Sequence, residues 1–194
     1  MTDKLVIALA QLNPTVGKIG ANLEKLREMR KKAAEEGADL ILTSELYTCG
    51  YPPEDLVRKP QFISSLRSAV EAFASETSDG GPAVLLGTPW VESNRLHNSL
   101  VLIEGGAITT ARHKYDLPNY GVFDEKRVFD PGPMPGPISF KDVRIGVPIC
   151  EDIWTPEVVE CITETGGEII LVPNGSPFEA GKTDMRVHLS LIHI

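Results

Sequence analysis

Apolar runs alternate along the chain with segments whose apolar positions recur at helical spacing. KLVIALAQL (4–12) is apolar and β-branched and predicts a buried strand. After the NPTVGKIG turn, Leu23, Leu26, Met29, Arg30 and Ala33 repeat at helical spacing; Asn22 is the expected N-cap and Gly37 the stop. ADLILTSE (38–45) predicts a second strand, and a long loop runs from there to Pro60. QFISSLRSAVEAFASET (61–77) predicts an amphipathic helix. PAVLLGTPWVES (82–93), RLHNSLVLIEGG (95–106) and AITTARHKYDL predict a three-strand meander. A proline- and glycine-rich loop spans 118–137. VRIGVPIC, PEVVECITETGG and EIILVPNGS then predict strand, helix and strand, and GKTDMRVHL begins a further helical segment. Strand–helix–strand repeated three times implies an α/β fold, and the meander makes its sheet mixed. No repeat or linker marks a domain boundary.

Composition narrows the class. The 194 residues suit one domain, and a 42% hydrophobic fraction is that of an ordinary globular protein. The net charge of −8, without a basic cluster, speaks against nucleic acid or an anionic membrane as partner. No stretch reaches the ~20 apolar residues of a membrane span, and the N-terminus lacks a signal peptide's basic start. The three cysteines form neither a disulfide framework nor CxxC pairs, so we expect a reduced, cytoplasmic protein without a metal site.

Polar residues stand where apolar strands end: Glu45 after ADLILTS, Lys114 after ITTARH and Cys150 after VRIGVPI. In an open α/β sheet these are the ends that face the ligand crevice. Taken singly, each has an ordinary reading as cap, solvated loop residue or core thiol. Converging at one sheet edge, they make a nucleophile, a base and a charge stabiliser. The sequence next to Cys150 does not activate it: Glu151 and Asp152 are negative, and negative charge raises a thiol's pKa. Activation must come from elsewhere in the fold. Cys161 is expected in the core and Cys49 in a partly exposed turn. His97 and His113 precede the cysteine, the wrong order for a papain-like pair.

The three segments resemble the carbon–nitrogen hydrolase (nitrilase) superfamily, whose triad is Glu, Lys and Cys. TCGYPPEDLVRKPQF, HKYDLPNYGVFDEKRVF, GVPICEDIW and PNGSPFEAGK, in that order, are similar to the glutaminase domains of glutamine-dependent NAD+ synthetases. The resemblance, from about Lys4 to about Arg186, implies the superfamily's α-β-β-α sandwich, here incomplete at the C-terminus. It implies Cys150 as nucleophile, Glu45 as general base and Lys114, with the Glu151 N–H, as oxyanion stabiliser. Glu125 would orient the lysine and substrate, and Tyr51, Tyr120, Glu151, Ser176 and Lys182 would bind L-glutamine. The family more often has NASPF where this chain has NGSPF. By the same resemblance this part needs no cofactor. ATP and Mg²⁺ belong to a fused synthetase domain, missing here, that amidates deamido-NAD+, and the full-length enzymes are homo-oligomers. A stand-alone amidase and a non-catalytic assembly domain are the rival readings.

The final LSLIHI does not continue the pattern. It is the translation of CTGTCTCTTATACACATC, a transposon end used as a sequencing adaptor. Residues 1–188 are therefore expected to be a partial hydrolase domain and 189–194 a non-native tail. A sandwich cut short would expose an apolar sheet edge, so the chain as written is expected to aggregate or show little activity.

Overall fold

The computed structural model describes residues 4–177 together with Gly181, Asp184 and Val187. The expected tail 189–194, most of the helical segment after Gly181, and Lys182 lie outside the described residues. The elements run β1 (Ile7–Ala10), α1 (Ile19–Glu35), β2 (Leu40–Thr43), α2 (Pro60–Glu76), β3 (Ala83–Glu92), β4 (Arg95–Glu104), β5 (Ala107–His113), β6 (Ile138–Phe140), β7 (Val143–Gly146), α3 (Pro156–Glu164) and β8 (Ile169–Ile170).

The strands form two sheets, as the α-β-β-α sandwich of the resemblance implies. The first is ordered β1-β2-β3-β4-β5, parallel from β1 to β3 and antiparallel from β3 to β5; the second is β6-β7-β8. Strand alternation sorts the core into two. Ile41, Val84, Leu86, Val101 and Ile103 meet Leu23, Leu26, Leu66, Val70 and Phe73 of α1 and α2. Their sequence neighbours Leu40, Leu42, Leu85, Leu100 and Leu102 point the other way, against Ile138, Phe140, Ile145 and Val147 of the second sheet. α3 covers that sheet's far side, where Gly146 leaves no room for a Cβ beside Ile162. The layers are thus α-β-β-α, with both sheets mixed.

The helices fall where the periodicity predicts, and other details differ. α1 begins four residues early, after Lys18, and Asn22 lies inside it, fully buried. Its side chain accepts from Thr15 N–H and donates to Thr15 O and Thr48 O, so it ties the turn before α1 to the loop after β2 instead of capping the helix. β1 is an edge strand, and its Leu9 is 63% exposed; among the described residues the second sheet is narrower than the first and stops short of it. β6 was not foreseen. It joins β7 through Lys141-Asp142, whose φ values of 45° and 65° belong to a tight type I′-like turn. Ser93-Asn94 turns β3 into β4 in the same way, with φ of 49° and 61°.

Candidate active site

The chain leaves β2 and at once bends at Leu46, which takes a left-handed φ of 48°. That bend sends Glu45 inward, where it is 1% exposed. Gly87 on β3 makes the bend possible, since a Cβ there would stand 2.2 Å from Ser44 O and 2.9 Å from Leu46 N. β5 ends on His113, so Lys114 is the first residue past the strand. Its N–H donates to Asn98 O of β4 at 2.8 Å, and its side chain is wholly buried. On the second sheet the chain runs past β7 through Val147-Pro148-Ile149 and turns at Cys150, again left-handed with φ 48°. Such a backbone is uncommon for a residue with a side chain and recurs where a fold presents a reactive group.

Lys114 Nζ donates to Glu45 Oε1 at 2.7 Å and to both oxygens of Glu125 at 2.9 and 3.0 Å. Tyr51 OH donates to Glu125 Oε1 at 3.0 Å, and Gly175 N–H to Glu45 Oε2 at 2.8 Å. Asn98 Nδ2 donates to Glu45 Oε1 at 2.7 Å and to Glu125 Oε2 at 3.2 Å. Two carboxylates therefore surround one ammonium, all three buried. Burial alone would push Lys114 down, but the charges of Glu45 and Glu125 outweigh it and the ammonium is held raised. Burial, then the charge of Glu45, raises the Glu125 carboxyl, and Lys114 opposes both.

Cys150 is 3% exposed, with Sγ 3.2 Å from Ser176 Oγ. Burial pushes its thiol up to about 12; the charge of Glu45 adds to the rise and that of Lys114 opposes it. The resting group is a protonated thiol within the electrostatic reach of both. A thiol so raised is not a preformed thiolate, and to act as a nucleophile it would need a base.

The two acids after the cysteine part company. Glu151 turns outward and accepts from Tyr120 OH at 2.8 and 3.0 Å. Tyr120 is 57% exposed and packs edge-on against Phe123, whose ring also neighbours Tyr51. Asp152 turns inward and is 1% exposed. It accepts Tyr115 N–H at 3.0 Å, Asp116 N–H at 2.8 Å and Ile149 N–H at 2.8 Å, strapping the Lys114 segment to the Cys150 turn. Burial raises its carboxyl to about 6 against the pull of those bonds.

The expected site residues thus fall into one neighbourhood, except Lys182, which lies outside the described residues. The edge is not that of one sheet. Glu45 and Lys114 leave the C-terminal ends of β2 and β5, whereas Cys150 and Ser176 follow strands of the second sheet, so the site sits on the rim where the two sheets meet. Cys49 is fully buried rather than partly exposed, its Sγ turned to Leu46 O and Gly50 O. Cys161, within α3, is half-buried rather than in the core. His97 and His113 stack at 4.2 Å; their hydrogen bonds go to Asp130 O, Ser99 and Glu92, while that of Cys150 goes to Ser176. Asn98 and Asp152 were missed. HNS inside a strand reads as a polar interruption, and a second acid beside a thiol reads as an obstacle. Among the described residues no cluster of His, Cys, Asp and Glu is arranged to hold a metal ion.

The carbon–nitrogen hydrolase model matches residues 6–193, nearly the whole chain. The chain belongs to the carbon–nitrogen hydrolase family. It is 41% identical over 186 residues to a glutamine-dependent NAD(+) synthetase of Rhodobacter capsulatus, covering 96% of this chain and 34% of that protein. The corresponding protein of Thermotoga maritima is 38% identical, with 94% and 32% covered. Among solved structures, the glutamine-dependent NAD+ synthetase of Acinetobacter baumannii superposes with a TM-score of 0.90 at 35% identity, over 96% of this chain and 35% of that one. An amidase from Nesterenkonia sp. AN1, in which acrylamide has added at the active-site cysteine, superposes with a TM-score of 0.79 at 26% identity, over 92% and 70%. The chain spans about a third of the length of the synthetases it matches.

Proposed function

We propose that this chain is the N-terminal glutaminase part of an enzyme that hydrolyses the side-chain amide of L-glutamine and supplies the ammonia for ATP-dependent amidation of deamido-NAD+ to NAD+. The observation that carries this is the buried Lys114 gripped by Glu45 and Glu125 beside Cys150, in a chain similar over 96% of its length to about a third of an NAD+ synthetase. Glu45 takes the thiol proton as Sγ attacks the amide carbon. The oxyanion that forms is met by the Lys114 ammonium and the Glu151 N–H. The C–N bond breaks as Glu45 returns the proton to nitrogen, leaving a γ-glutamyl thioester and ammonia. Water then attacks the thioester, Glu45 taking its proton, and glutamate leaves as the proton returns to sulfur.

Glu125, steadied by Tyr51, keeps Lys114 in place. Tyr120, Glu151, Ser176 and Lys182 hold the glutamine backbone and side chain. This route uses no metal. ATP and Mg²⁺ serve the amidation, on a synthetase domain fused to this one in a cytoplasmic homo-oligomer. The likeness to the Nesterenkonia amidase favours a second reading, a stand-alone amidase with the same triad.

Ammonia release from L-glutamine, compared with simple aliphatic amides, separates the two. The glutaminase reading expects a strong preference for glutamine and complete loss in Cys150→Ala with the fold intact. Equal or better turnover of simple amides would favour the amidase.

A further inference from the structure

The Glu45–Lys114–Glu125 cluster sets one amine between two carboxyl groups, out of water. Two carboxylates that close tend to share a proton, because the second ionisation is opposed by the first. A general base must be ionised at rest, so something besides Lys114 has to favour the doubly ionised form. The neutral donors divide unequally. Gly175 N–H serves only Glu45, and Tyr51 OH serves only Glu125. Asn98 Nδ2 alone among the described neutral donors reaches both, at 2.7 and 3.2 Å.

Asn98 is itself held rigidly. It is 1% exposed, it pairs with Pro89 across the sheet, and its carbonyl accepts the Lys114 N–H. Its side-chain oxygen is buried and has no hydrogen-bond partner among the described residues. Turning the amide over would aim that oxygen at two carboxylates, so its neighbours fix its orientation. A residue chosen only to fill the core would not leave a buried acceptor orphaned.

We infer that Asn98 is a positioning residue that keeps Glu45 and Glu125 ionised side by side around Lys114. A hydrogen-bond donor favours the charged form of each carboxylate it reaches, and one rigid amide that reaches both also sets their spacing. Lys114, Tyr51 and Cys150 are the titratable groups facing the pair, and Asn98 is the neutral member that does not change state during turnover. The need for an ionised base rests on the function proposed above; the geometry does not.

The test uses the protein expressed from its full gene and follows iodoacetamide alkylation of Cys150 by mass spectrometry across the acid range, beside glutamine hydrolysis. The low-pH limb of the alkylation profile reports loss of the base and requires no glutamine. Asn98→Ala is expected to move that limb up by about one pH unit, the scale of one hydrogen bond to a carboxylate. Asn98→Asp, close to the same shape, is expected to move it at least as far, because it replaces a donor by a third acid. Hydrolysis should lose kcat about tenfold on the acid limb and little on the neutral plateau, with KM within about twofold. Limbs that superimpose on wild type would overturn the inference, as would a wild-type profile with no acid limb. Failure of both variants to fold, shown by circular dichroism, would also overturn it by making the amide a packing element. If wild-type Cys150 alkylates with an acid limb that the variants shift, but glutamine is not hydrolysed, the inference stands and the proposed function falls.

Discussion

Two cations lie thirteen positions apart in this chain, each facing several acids. Lys114 meets Glu45 and Glu125 with its side chain fully buried. Arg127 meets Asp124, Asp55 and Glu54 at the exposed end of the same short turn that carries Glu125. Counting ion pairs would rank Arg127 higher. Burial reverses that order. Around Arg127 water screens every charge, and losing one partner leaves the others hydrated. Around Lys114 no charge can be left alone without heavy desolvation, so each group fixes the others. The exposed cluster ties two loops together; the buried one holds reactive groups in register.

The largest expected effect breaks the buried cluster. Lys114→Met strands two carboxylates and should cost about 3–5 kcal/mol of stability in urea unfolding, together with all measurable hydrolysis. A milder loss, or retained turnover, would remove the distinction between the clusters. Glu125→Gln keeps the shape and leaves Lys114 paired with Glu45. Its stability should fall less than that of Lys114→Met, because the deleted charge faced a like charge, while kcat falls by about 10²-fold through a misplaced ammonium. Unchanged kcat would mean that Glu125 does not position Lys114.

Asp152 sharpens the comparison, since it is buried but paired with backbone N–H groups instead of a cation. Folded, it binds its proton more tightly than unfolded between the ordinary value of 3.8 and about 6. Its contribution to stability therefore declines as pH rises through that window. Asp152→Asn removes this slope. It should be most destabilised relative to wild type at the acid end of the window and least above it, in unfolding curves taken across that range. The opposite slope would show that the backbone bonds, not burial, dominate. Arg127→Gln completes the series, with a Tm change of no more than about 2 °C that shrinks in added salt. A larger, salt-insensitive drop would mean that the surface cluster is not screened.

The helices were legible because their apolar period is strong and long, and the meander because Ser93-Asn94 and Gly105-Gly106 punctuate it. The β6–β7 hairpin was not, since Lys141-Asp142 has no glycine to announce a left-handed turn. Glu45, Lys114 and Cys150 stood out because each interrupts an apolar run at a strand end. That two sheets bring them together was implied by the resemblance alone, since no local pattern encodes so long-range a fact. Asn22, Asn98 and Asp152 were misread or missed for one reason. A polar side chain whose partners lie on distant segments looks, in sequence, like a cap, an interruption or an obstacle.

In the proposed reaction Cys150 is the nucleophile and carries a thioester during turnover. The most direct test is to mix the protein expressed from its full gene with glutamine, quench in acid and locate any adduct by mass spectrometry. The account predicts a γ-glutamyl group on Cys150, formed with release of ammonia, with Cys49 and Cys161 unmodified and no adduct in Cys150→Ala. Glutamine turnover with no adduct on Cys150, or turnover that survives Cys150→Ala, would contradict it.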